Sequence, residues 1–284
     1  MYGCILTEPV TPDGDVGVLF VHNEGYSTMC GHGIIGLVTV GLECGLLDLT
    51  SLERDASDRP IVKIDTPAGR VTATAHVAEE ADRSRVARVS FRNVPSFVLE
   101  QGLEVEVPGF GMIRCDVAFG GAFYAYVQAA DFDLVIEPAA YAPLIDAGRR
   151  VKRAVTEQYE IVHPAGDPDL NFLYGTIFVQ EGEGAVHSRN VCVFAEGEVD
   201  RSPTGTGVSG RAAIHHARGD LATGETITIE SVIGSSFDVR VVTETMVGGL
   251  PAVIPEVTGT AHITGRHEFL IDPTDPLRDG FFLR

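Results

Sequence analysis

Cys30-Gly31-His32-Gly33, followed by a small-residue apolar run to Leu46, is the stretch on which the reading of this chain turns. It has an echo in Thr204-Gly205-Thr206-Gly207, again followed by small residues to Arg218. Both have the form (Cys/Thr)-Gly-X-Gly ahead of a predicted helix, His32 to Leu46 in one half and Gly205 to Arg218 in the other. Each run is apolar or small on most sides, so both helices are expected to be buried. The same four-residue pattern placed identically against two buried helices raises an internal duplication.

Around these helices, Gly, Asn and Pro punctuate many short β-rich runs: Val16–His22, Ile61–Asp65, Val71–His76, Val86–Phe91, Gly121–Val127, Phe172–Gln180, Val191–Ala195 and Thr226–Ser231. A third helix, Ala139–Ile161, is amphipathic and carries Arg149, Arg150, Lys152 and Arg153. Many strands around a few helices predict an α+β architecture with one central helix per domain.

The chain has 284 residues, 44% of them hydrophobic, enough for two domains with real cores. Forty acidic against twenty-one basic residues give a net charge of -19, which repels phosphate backbones and anionic membranes and argues against a nucleic-acid partner. No apolar run approaches the roughly 20 residues of a membrane helix, and Met1-Tyr2-Gly3-Cys4 lacks the basic start of a secretion signal, so the expected location is the cytoplasm. Cys4, Cys30, Cys44, Cys115 and Cys192 are odd in number and show no CxxC spacing, which predicts reduced thiols. Lys63 and Lys152 are the lysines, leaving few candidates for a Schiff base to pyridoxal phosphate.

A helix start leaves backbone N–H groups unpaired and carries about +0.5 of a charge, so it attracts carboxylates and favours a thiolate. Cys30 sits in such a field, which suits a general base or a nucleophile; an inert cysteine beside a tight glycine turn accounts for the spacing equally well. His32 either hydrogen-bonds a substrate carboxylate or packs the turn. Cys-X-His lacks further ligands at a zinc spacing, so no metal is expected. Asp200 precedes the second glycine motif and either supplies a fixed negative charge or caps the turn. With no Lys after the glycines, a phosphate loop is disfavoured. A carboxylate cradle beside an acid suits an amino acid. The pair His215-His216 reads as a solvated helix face.

Tyr26-Ser27-Thr28-Met29-Cys30-Gly31-His32-Gly33 and Asp200 to Gly207 resemble the two active-site motifs of the proline racemase family, which has the diaminopimelate epimerase fold. Ala118-Phe119-Gly120-Gly121-Ala122-Phe123-Tyr124-Ala125 is similar to a further segment common there. The resemblance spans nearly the whole chain. It implies two pseudo-symmetric domains, each a curved mixed sheet around a central helix, divided here as 1–66 plus 268–284 and 67–267. It also implies a cofactor-independent enzyme whose small imino-acid substrate lies between the two helix starts. By position, Gly31, His32, Gly205 and Thr206 would bind its carboxylate, with Asp200 near the ring nitrogen, Tyr2 and Phe194 flanking the ring, and Cys30 as catalytic base. Family members are often dimers, which leaves a homodimer open. They also carry further strands ahead of the segment that begins here at Met1, so the first domain is expected to lack part of its sheet.

Racemisation needs acid/base groups on both faces of the α-carbon. Where the family's second catalytic cysteine stands, this chain has Thr204, whose hydroxyl stays protonated at neutral pH. The Cys-then-Thr pattern resembles the trans-3-hydroxy-L-proline dehydratases of the family. It implies loss of water to give 1-pyrroline-2-carboxylate, with Thr204 touching the ring or the leaving group. Proline racemase or hydroxyproline 2-epimerase chemistry by a one-base route, and an inactive amino-acid-binding paralogue, are the competing readings.

Overall fold

Alternation sets the sheet. In the run from Val71 to Ala75 every second residue, Val71, Ala73 and Ala75, is fully buried, while Thr72 and Thr74 between them are part-exposed. The structure, a computed structural model, describes residues 2–22, 25–80 and 83–280. Its first unit runs β1 (Tyr2–Thr7), β2 (Val16–His22), β3 (Gly25–Ser27), α1 (Gly31–Glu43), β4 (Ile61–Thr66), β5 (Gly69–Glu80) and β6 (Arg83–Arg92). Then come β7 (Ser96–Val107), β8 (Gly111–Phe119), β9 (Phe123–Gln128) and α2 (Tyr141–Gln158). A second unit follows: β10 (Leu173–Glu181), β11 (Ser188–Phe194), β12 (Glu198–Val199), α3 (Gly205–Arg218), β13 (Thr226–Glu230), β14 (Ser236–Val247) and β15 (Leu250–Gly259).

The two units repeat each other element for element. In the first, β1 and β3 flank β2 antiparallel, α1 crosses over, β4 returns parallel to β2, and β5 and β6 continue antiparallel. In the second, β10, β12, α3, β13, β14 and β15 stand in the same relations to β11. The four-residue echo therefore belongs to a repeated supersecondary unit, as a duplication requires. The units join where β15 pairs antiparallel with β6, and β15 also pairs with β7 through Ala252↔Phe97 and Val253↔Ser96. That pairing closes β7-β8-β9-β10-β11-β13-β14-β15 into a barrel, with α3 packed against β7, β8, β14 and β15. Pairs β2/β4, β9/β10 and β11/β13 are parallel, so the sheet is mixed and the class is α+β, as expected.

Each central helix is buried as its sequence predicts. On α1, Ile34, Ile35 and Val38 are at most 1% exposed and join Phe20 and Phe91 in the core; burying a side chain of this kind is worth about 1.5–3 kcal/mol. The helix stops at Glu43 rather than Leu46 because Gly45 turns left-handed (φ +70°) and lets the Leu46 N–H return to the Gly41 carbonyl at 2.8 Å. On α3, every residue from Gly205 to Ile214 is buried. Helix α1 packs against β5 and β6, which lie beyond the expected boundary at Thr66. Helix α2 lies outside the barrel against β10, β11 and β7.

His215 departs from the expected solvated face. It accepts a hydrogen bond from the Arg211 guanidinium (Nη2 to Nε2, 2.8 Å), and burial together with that cation pushes its pKa down to about 4. Among the described residues no helix is long and apolar enough to cross a membrane, and the cysteines are free thiols.

Candidate active site

The two glycine motifs meet head to head. A Cβ added to Gly31 would lie 2.5 Å from the Gly205 Cα, and one added to Gly205 would lie 2.5 Å from the Gly31 Cα, so no larger residue fits at either position without parting the helices. Two helix N-termini, each with unpaired N–H groups and a partial positive charge, thus converge on one point. The Gly120-Gly121 turn between β8 and β9 wedges against them. A Cβ on Gly120 would sit 2.2 Å from the Thr206 carbonyl oxygen, and one on Gly121 2.9 Å from the Met29 Cβ. Thr28 Oγ1 donates to the Gly121 carbonyl at 2.6 Å, and Asn93 Nδ2 donates to the Gly120 carbonyl at 2.7 Å and to Ser209 Oγ at 2.8 Å.

Around this junction lies a small, tightly closed cavity, lined by Cys30, Gly31 and His32 from one motif and by Asp200, Thr204, Gly205 and Thr206 from the other. The seven motif residues singled out in the sequence therefore face one site. Cys30 is the N-cap of α1, 4% exposed, and its sulfur accepts the Gly33 N–H at 3.3 Å, a contact that stabilises negative charge on sulfur. Thr204 is the N-cap of α3, 6% exposed, with φ +69°, a left-handed conformation unusual for a β-branched residue. Backbone strain of this kind costs about 1–3 kcal/mol and is held by the surroundings. Here Ser202 Oγ accepts the Thr204 N–H at 3.1 Å, and Thr204 Oγ1 donates to Asp200 Oδ2 at 3.0 Å.

Asp200 links the motifs. Its Oδ2 lies 3.2 Å from His32 Nδ1, and its Oδ1 accepts the Ser202 N–H at 2.8 Å. Burial opposes its ionisation, but the His32 charge and these hydrogen bonds outweigh it and hold the carboxyl below its ordinary range. Burial likewise pushes His32 down, yet negative charge on Cys30 and Asp200 prevails and raises it well above the usual histidine value. The site thus holds a carboxylate paired with a histidine of raised basicity, beside the Cys30 thiol at the cap of α1.

The walls are aromatic. Tyr2 and Phe194 lie 6.0 Å apart, Tyr174 stacks on Phe194 at 5.4 Å and 12°, and the Tyr124 hydroxyl is 2.8 Å from Thr206 Oγ1. Met29 and Cys192 complete the lining. The Cys192 thiol is pushed well up by burial, with the Asp200 charge adding to it. The family resemblance names Tyr2 and Phe194 but not Tyr174, Cys192 or Met29. Tyr174 and Cys192 lie on β10 and β11, and only the strand register brings them to the helix starts.

A family model described as proline racemase matches residues 1–282. The chain belongs to the proline racemase family. Among its relatives in that family, a protein of Colwellia psychrerythraea named trans-3-hydroxy-L-proline dehydratase is 47% identical over 285 residues, covering 100% of this chain and 77% of that one. A protein of Burkholderia multivorans named 3-hydroxyproline 2-epimerase is 46% identical over 285 residues, covering 100% and 82%. The solved structure of a hydroxyproline epimerase from Agrobacterium vitis with bound trans-4-OH-L-proline is 32% identical, covers 99% of this chain and 77% of that one, and superposes with a TM-score of 0.90. The sequence resemblance to the proline racemase family, drawn from two motifs far apart in the chain, thus extends over the whole fold.

Proposed function

We propose that this chain dehydrates trans-3-hydroxy-L-proline to 1-pyrroline-2-carboxylate and water without a cofactor. The observation that carries the reading is the asymmetry of the paired caps: a thiol, Cys30, on α1 and a hydroxyl, Thr204, on α3, facing one cavity. The substrate carboxylate is held by the first-turn N–H groups of Gly31, His32, Gly205 and Thr206, and its ammonium lies against Asp200. The Cys30 thiolate removes the α-proton. Preorganised dipoles of two helix starts stabilise the charge that develops on the carboxylate side, in a water-poor site where such dipoles count for more than in water. The 3-hydroxyl then leaves, and the enamine acid tautomerises to the imine. Thr204 stays protonated and hydrogen-bonded to Asp200, so it does not deliver a proton to the opposite face.

The names carried by relatives support this reading, since several at similar identity are called trans-3-hydroxy-L-proline dehydratase. One relative named a 3-hydroxyproline 2-epimerase favours a second reading, inversion at the α-carbon with the hydroxyl retained. Incubation of the purified protein with trans-3-hydroxy-L-proline, followed by NMR, separates the two. Pyrroline carboxylate is the expected product; cis-3-hydroxy-D-proline as the sole product means epimerisation, and unchanged substrate with a folded sample rejects both.

A further inference from the structure

The dehydration needs a place for the departing hydroxyl, and a part-buried cluster of three hydroxyls at the cavity that Cys30 lines has no role so far. Tyr2 OH is hydrogen-bonded to Ser27 Oγ and to Tyr174 OH, the latter at 3.0 Å. Ser27 is 3% exposed, stands three residues before Cys30 and ends β3, while Tyr2 and Tyr174 both line the cavity. Tyr2 and Tyr174 share the cavity wall with Cys30, and burial raises both phenols, which keeps them protonated as hydrogen-bond donors. Tyr174 is fixed by its stack on Phe194 and Tyr2 by its edge contact with His32, at 5.2 Å, so the hydroxyls are held by side chains whose orientation is already set.

The stereochemistry of the substrate brings its hydroxyl to this same side. In trans-3-hydroxy-L-proline the hydroxyl is on the ring face opposite the carboxylate, and the α-hydrogen is on that face too. A base that reaches the α-hydrogen therefore faces the leaving group, whereas Thr204 faces the other side of the ring.

We infer that the Tyr2–Ser27–Tyr174 cluster is the subsite for the 3-hydroxyl and that elimination is syn, with Cys30 serving in turn as base and acid. This rests on the dehydratase reading. The C2–H bond breaks and its proton goes to the Cys30 thiolate. The electron pair forms the C2–C3 double bond as the C3–O bond breaks. The S–H proton passes to the departing oxygen, which leaves as water hydrogen-bonded to the cluster, and the thiolate is restored without any further co-reactant.

Two measurements test it. The first compares isomers on the unmodified protein: trans-3-hydroxy-L-proline is dehydrated, while cis-3-hydroxy-L-proline, whose hydroxyl faces Thr204, reacts at least ~100-fold more slowly. Equal rates overturn the syn geometry. The second uses Tyr174→Phe, which keeps the ring stack, and Ser27→Ala. Each is expected to lower kcat/KM for the trans isomer by about 10²-fold, with affinity for pyrrole-2-carboxylate, which has no 3-hydroxyl, within about 2-fold of the parent. Unchanged kcat/KM, or equal losses in turnover and in pyrrole-2-carboxylate affinity, removes the cluster from hydroxyl recognition. An unmodified protein that yields no pyrroline carboxylate rejects the dehydratase reading itself, a result distinct from either of these.

Discussion

Gly31→Ala is the sharpest perturbation of the paired helix starts. The added methyl would stand 2.5 Å from the Gly205 Cα, 3.2 Å from the Gly205 carbonyl carbon and 2.9 Å from Phe91 Cζ, and ordinary contact begins near 3.4 Å. Backbone on the far side cannot rotate away as a side-chain tip can, so α1 and α3 must part by about 0.9 Å. A displacement of that size in groups that position a reacting substrate costs on the order of 10²-fold in rate, and overpacking adds about 1–3 kcal/mol of destabilisation. The control lies in the same helix: a Cβ on Gly36 meets nothing within 4 Å, so Gly36→Ala should raise stability by about 0.5–1 kcal/mol through helix propensity and leave turnover unchanged. Both variants are assayed for dehydration of trans-3-hydroxy-L-proline, pyrrole-2-carboxylate binding and urea unfolding. Full activity in Gly31→Ala, or equal losses in the two variants, refutes the claim that contact between the glycine caps sets the site.

Thr204→Cys places a second thiol on the α3 cap and is expected to bring measurable α-inversion of L-proline, read by chiral chromatography; no inversion means that other residues also fix the outcome. Cys30→Ser should lower turnover at least ~10⁴-fold while leaving the unfolding curve within about 1 kcal/mol, since the side chain changes by one atom. Asp200→Asn tests the ion pair with His32 through pH. The lowered Asp200 contributes stability above its unfolded value near ~3.9, lost as pH falls through the folded value; the raised His32 contributes below ~6.5, lost as pH rises through its folded value. The stability gap between parent and variant should therefore be largest from about pH 4 to about 6.5 and shrink on both sides. A gap that is flat from pH 3 to 9 contradicts the pairing.

What the sequence makes legible here depends on how local the cause is. Helices α1 and α3 are visible because a glycine-rich cap and a run of small apolar residues are neighbours in the chain, and the same motifs name the seven residues that line the cavity from both sides. Strand β15 escapes because Pro251 and Pro255 read as breakers; Pro255 faces Val241 where the register shifts, and its carbonyl accepts the Asn93 N–H at 2.9 Å. Strand β7 is hidden because two register shifts against β8, one at Leu99 and one at Gln101-Gly102, break the alternation. Ser27 lay inside the first motif yet carried no signal of its own, since its partners Tyr2 and Tyr174 reach it only through the pairing of β1 with β2 and the closing of the aromatic wall.

The central claim is that one thiol opposite one hydroxyl carries the reaction to elimination rather than inversion. It is tested most directly by following trans-3-hydroxy-L-proline with the purified protein in D2O by NMR, beside Cys30→Ser. 1-Pyrroline-2-carboxylate is expected as the main product from the parent, with none from the variant. Accumulation of cis-3-hydroxy-D-proline deuterated at the α-carbon, without loss of water, would contradict it.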